Sequence, residues 1–136
     1  MFPRLFLTVG GSVLLLLGVV GYAGVFTEAE SPSFWLDGAE NLAHTALGLA
    51  ALAAVFVPGL NVILAPHYRA LVGVIAVIGL FFAIYGFLLP PGSGSHPNTF
   101  GVANLESPAE NLLHLVVGVA AVAAIYIKPR EETMAG

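Results

Sequence analysis

Four uninterrupted apolar runs, at about residues 5–26, 38–57, 70–89 and 109–127, take up most of this chain and leave few options for its fold. An α-helix rises 1.5 Å per residue, so each run is long enough to cross a hydrocarbon core roughly 30 Å thick, which takes about 20 residues. A chain of 136 residues that is 58% hydrophobic and 9% charged, with mean hydropathy +0.94, has more apolar surface than one small soluble core can bury. Lipid must be the solvent for much of it. The expected fold is all-α: an integral membrane four-helix bundle forming a single transmembrane domain over residues 1–136. Arg4 ahead of the first run also fits a secretory signal. That run exceeds the roughly 7–15 residues of a signal core and lacks a convincing small-x-small cleavage site, so it reads as a retained helix.

Two of the runs repeat one another. Ala39 to Val57 (AENLAHTALGLAALAAVFV) and Ala109 to Ile127 (AENLLHLVVGVAAVAAIYI) agree at ten of nineteen positions. The matches include Glu40 with Glu110, Asn41 with Asn111, and His44 with His114. An acid, an amide and an imidazole kept at the same depth of two apolar segments mark the one place where chemistry is concentrated. The implied architecture is two duplicated helical hairpins, in halves 1–66 and 67–136, related by a pseudo-twofold axis along the membrane normal. Such a parallel repeat differs from the inverted repeats of many secondary transporters.

The basic residues orient the chain. Arg4 precedes the first run, Arg69 lies between the second and third, and Lys128 and Arg130 follow the fourth. With four crossings, all four fall on one side. The positive-inside rule then puts both termini in the cytoplasm, with the protein multi-pass in the cell inner membrane. Glu28, Glu30, Asp37, Glu106 and His96 fall on the opposite side, with Trp35 at headgroup level. A net charge of -4 disposed in this way argues against a nucleic-acid partner. Cysteine is absent, which excludes disulfide scaffolds, thiolate metal sites and thiol-disulfide redox chemistry.

Proline and glycine mark the connections. Pro58-Gly59 and Pro66 bracket a tight inner turn, and Pro90-Pro91-Gly92-Ser93-Gly94 ends the third helix. The longer outer loop that follows, carrying His96, Asn98 and Phe100, is the candidate docking or lid element. Each repeated helix opens on a capping pattern, Asp37-Gly-Ala-Glu40 and Ser107-Pro-Ala-Glu110, with Pro108 at the first helical position. Capping, and the favourable placement of a carboxylate at a helix N-terminus, give Glu40 and Glu110 a structural role.

His44 and His114 lie seven residues past those caps, about 10 Å down the helix and inside the apolar layer. Glu40, His44, Gly48 and Ala51 form a helical stripe, copied by Glu110, His114, Gly118 and Ala121, with Asn41 and Asn111 on its flank. Small residues at Gly48 and Gly118 let a helix, or a flat cofactor, approach closely. Gly11, Gly18 and Gly21 in the first run, and Ala76, Gly79, Ala83 and Gly86 in the third, supply matching small-residue seams.

The stretch Phe100 to Gly118 (FGVANLESPAENLLHLVVG) resembles the signature of an uncharacterised bacterial family of small four-pass membrane proteins, in which Phe-Gly leads to Asn-Leu-x-His-x-x-x-Gly. Phe100, Gly101, Asn111, Leu112, His114 and Gly118 match it, as do Asn41, Leu42, His44 and Gly48 in the first copy. In that family the residue before the asparagine is often histidine. Here it is Glu40 or Glu110, so the resemblance implies no paired-histidine metal site. It implies a four-helix membrane bundle and supplies no activity.

Three function classes follow. The favoured expectation is a non-catalytic accessory or structural subunit packing in or against a larger membrane complex, with the lipid bilayer and other membrane subunits as its partners. The alternative is a haem- or chlorophyll-binding subunit with His44 and His114 as axial ligands. A second alternative is proton or ion translocation through Glu40, His44, Glu110 and His114. No nucleophile motif, metal-ligand spacing or phosphate loop points to an enzyme.

Overall fold

The computed structural model describes residues 2–26, 34–89, 100, 105 and 108–127. They form helices α1 (Phe2–Tyr22), α2 (Gly38–Phe56), α3 (Pro58–Leu64), α4 (Tyr68–Leu88) and α5 (Ala109–Tyr126), with a 3-10 turn at Ala65–His67 between α3 and α4. No strand occurs among the described residues. The spans that include α1, α2, α4 and α5 are each long and apolar enough to cross a membrane, which makes this a multi-pass, all-helical membrane protein.

Two departures from the apolar runs have local reasons. The first run stays apolar to Phe26, but α1 stops at Tyr22 because Gly24 turns left-handed at φ 77°. The Gly24 amide then donates to the Gly21 carbonyl and the Val25 amide to the Val20 carbonyl, the paired bonds of a Schellman ending. The Leu36 amide donates back to the Phe26 carbonyl and Phe26 meets Phe34 edge to face, closing the connection to α2. The second departure corrects the tight inner turn expected between Pro58 and Pro66. Proline lacks only an amide that a first helical turn leaves unpaired, so Pro58 starts the short helix α3. No residue of α3 is buried, and Val62 and Ile63 stand out from it.

The two repeated helices begin differently. At α2 the capping box forms: Asp37 accepts from the Glu40 amide at 2.8 Å, and Glu40 accepts from the Asp37 amide at 2.9 Å. At α5 the cap position falls on Pro108, with no side-chain cap bond, so Pro108 stands one place before the first helical residue, Ala109, and not at the first helical position expected of it. Ser107, the expected cap, lies outside the described residues. We expect Asp37→Ala to cost about 1 kcal/mol of stability through the lost cap, read as a fall in thermal midpoint in detergent with helix content retained. An unchanged midpoint would show that the bonds at Asp37 are idle.

Packing is strongest within two pairs, α1 along α2 and α4 along α5, and α1 also touches α4 and α5. A shared core forms at the end of the bundle where α1 and α4 begin and α2 and α5 finish. It joins Leu7, Ala54, Val55, Tyr68, Val72, Ala76, Ala121 and Ala124. Side chains there also satisfy the carbonyls that a helix C-terminus leaves unpaired. Tyr68 Oη donates to the Ala54 carbonyl at 2.8 Å, Asn61 Nδ2 donates to the Val55 carbonyl, and Arg69 Nη2 donates to the Ile125 carbonyl at 2.9 Å.

Candidate functional site: the polar ends of two helix pairs

The shared polar residues sit in the first turns of α2 and α5, at the end opposite the shared core. Glu40, Asn41, Glu110 and Asn111 are all buried, and Asn111 is fully so, at 0% exposure. Neighbouring glycines make this burial possible. The position a Cβ would take on Gly21 of α1 is occupied by Asn41 Oδ1, and the same position on Gly86 of α4 by Asn111 Oδ1. Each amide oxygen therefore rests on a glycine Cα–H, the arrangement of a weak Cα–H···O contact that no larger residue permits.

Further along each pair the backbones meet. A Cβ on Gly48 would lie 2.5 Å from the Leu15 nitrogen and 2.8 Å from the Gly11 oxygen, and one on Gly118 would lie 2.9 Å from the Leu80 nitrogen. A Cβ on Gly79 would lie 3.1 Å from both the Gly118 nitrogen and the His114 oxygen. Gly18 faces Asn41 and Thr45 in the same way. On α2 the contact line is thus Asn41, Thr45 and Gly48, with His44 at its flank. The expected Glu40–His44–Gly48 stripe had placed the imidazole on that line. Thr45 escaped the sequence reading, although its place four residues after Asn41 was the available signal.

Both histidines are half-buried. His114 Nδ1 lies 2.9 Å from the Glu110 carbonyl one turn back. A carbonyl only accepts, so Nδ1 carries a proton, which in the neutral ring leaves the lone pair on Nε2. The His114 ring also lies beside Phe82, centroids 5.5 Å apart. The buried Nδ1 of His44 has no hydrogen-bond partner among the described residues. The same holds for Thr45 Oγ1, Asn41 Oδ1 and both amide atoms of Asn111. Leaving an amide without a full hydrogen bond in apolar surroundings costs several kcal/mol, whereas a Cα–H···O contact returns about 0.5–1 kcal/mol. The contact at Gly86 therefore does not repay the desolvation of the Asn111 amide, and the part this amide plays is positional: it fixes which glycine of α4 meets which turn of α5.

The arrangement does not fit the macrocycle expected of a haem or chlorophyll site. His114 Nε2 has the lone pair of an axial ligand, but the recesses beside Gly48 and Gly118 are filled by Leu15 and Leu80. Among the described residues no group of three or more His, Asp or Glu side chains converges as a metal site. Of the outer-loop candidates, Phe100 takes a left-handed φ of 56° and meets the rings of Phe81 and Tyr85 on α4. Glu28, Glu30, His96, Asn98, Gly101 and Glu106 lie outside the described residues, as do Lys128 and Arg130.

Comparison with protein-family models, with curated proteins and with solved structures gives no match.

Proposed function

We propose that this protein is a non-catalytic accessory subunit of the cell inner membrane, with both termini cytoplasmic, that packs in or against a larger membrane complex. The observation that carries the reading is the closure of both helix pairs on their glycines, with Leu15 and Leu80 seated where Gly48 and Gly118 leave room. The polar residues are thereby used to set helix register, and the outward faces of the four long helices remain available to lipid and to partner helices. The orientation is supported by Arg4 and Arg69, which line one recess at the shared-core end. An origin by duplication of one hairpin is supported by the ten matched positions and by the like contacts Asn41 on Gly21 and Asn111 on Gly86. Membership of the four-pass family with the Asn-Leu-x-His-x-x-x-Gly motif rests on the residues quoted for it.

A second reading, axial ligation of haem or a chlorin, draws on one observation, the lone pair left on His114 Nε2. Two measurements on protein extracted in mild detergent separate the readings. The accessory subunit is expected to be colourless and to co-purify with a membrane partner at fixed stoichiometry. A Soret band lost on replacing either His44 or His114 with alanine would overturn it.

A further inference from the structure

Arg4 at the start of α1 and Arg69 at the start of α4 line one recess of about 270 Å³ at the shared-core end, between those helix starts and the finish of α5. Its other walls include Phe2, Pro3, Ile125 and Ile127. No carboxylate lines it among the described residues, and Tyr68, which also lines it, commits its hydroxyl to the Ala54 carbonyl. Arg69 spends one N–H on the Ile125 carbonyl and Arg4 makes no side-chain bond among the described residues, so most of the ten guanidinium donors remain free. Two residues of like charge lining one recess call for an anion beside them, and guanidinium forks match phosphate oxygens two at a time.

We propose that this recess holds the headgroup phosphate of an anionic phospholipid, with the guanidinium groups of Arg4 and Arg69 on the phosphate and the apolar walls on the glycerol and first acyl carbons. The apolar walls decide between the two sources of that chemistry. Free phosphate would bury its hydration shell against Phe2 and Ile125 for no return, whereas a lipid brings apolar carbon to the same place. Basic recesses between helix ends at the cytoplasmic surface are where such headgroups bind.

The test is native mass spectrometry of the full chain released from vesicles of equal phosphatidylglycerol and phosphatidylcholine. Each arginine near the surface favours the anionic lipid about fivefold, so the wild type is expected to retain phosphatidylglycerol over phosphatidylcholine by about 25-fold. Arg4→Gln should cut this about fivefold and Arg4→Gln with Arg69→Gln should bring it to parity, while Arg4→Lys, which keeps the charge, stays near wild type. Arg4 carries the cleaner test because its side chain holds no part of the fold; helix content by circular dichroism checks this. Equal retention of both lipids by the wild type would overturn the proposal, as would a preference unmoved by Arg4→Gln. Loss of the bound lipid to millimolar inorganic phosphate would assign the recess to the free anion and overturn the lipid.

Discussion

Alanine at Gly48 or Gly86 is expected to destabilise the protein by about 1–3 kcal/mol, whereas alanine at Gly73 should leave it unchanged or slightly more stable. All three glycines lie inside long helices, where replacing glycine with alanine gains up to about 1 kcal/mol of helix propensity. Surroundings decide the sign. A Cβ on Gly73 meets only the end of Ile125, at 3.8 Å, which is ordinary contact. On Gly48 it meets backbone of α1, so the two helices must part, and on Gly86 it takes the place of the buried Asn111 oxygen. Overpacking of this kind outweighs the propensity gain. Unfolding in detergent with a graded denaturant measures the series. Asn111→Ala in the Gly86→Ala background makes room for the new methyl, so the pair should be less unstable than the two single changes summed. Additive losses would show that Gly86 and Asn111 do not meet.

Tyr68→Ala carries the other large effect, about 3–5 kcal/mol, because it empties a place in the core that joins the two helix pairs. Tyr68 does two things at once. The residue is 7% exposed within that core, and its hydroxyl satisfies the Ala54 carbonyl in the last turn of α2. Tyr68→Phe keeps the ring and removes the donor, leaving a buried carbonyl without its partner at a cost of about 1–3 kcal/mol. The two variants measured side by side divide the total into packing and hydrogen bonding. If Tyr68→Phe matches the wild type, the Ala54 bond contributes nothing and the ring alone ties α2 to α4.

What the sequence made legible was the part of the fold set by near neighbours. Twenty-residue apolar runs define spanning helices whatever surrounds them, and Asp37 with Glu40 three residues on forms its cap within a single turn. The ending of α1 was also local, since Gly24 sits in a run that stays apolar past it, but hydropathy does not register a left-handed glycine. Pro58 and Pro66 were ambiguous for a different reason: proline stops a helix that precedes it and starts one that follows. The candidate site was half legible. Duplicated Glu, Asn and His residues were visible as a set, yet whether Asn41 or His44 meets α1 depends on a helix rotation of a few tens of degrees, which only the partner's glycines fix. The role of Tyr68 was out of reach, because its acceptor lies fourteen residues away in another helix.

The uneven placement of the core bears on the order in which the protein is made. The contacts that consume glycines and buried amides lie inside α1 with α2 and inside α4 with α5, between segments consecutive in the chain apart from one loop each. Each pair can thus mature as it leaves the ribosome, with no need to wait for the other. The joint between pairs, centred on Val72 and Ala121, takes a residue from the first span of each pair and from the last, so it is complete only after the final helix enters the bilayer. A nascent chain carrying only α1 and α2 has its polar amide already seated on glycine and little left to shield from lipid, which is a workable waiting state for a protein built half at a time.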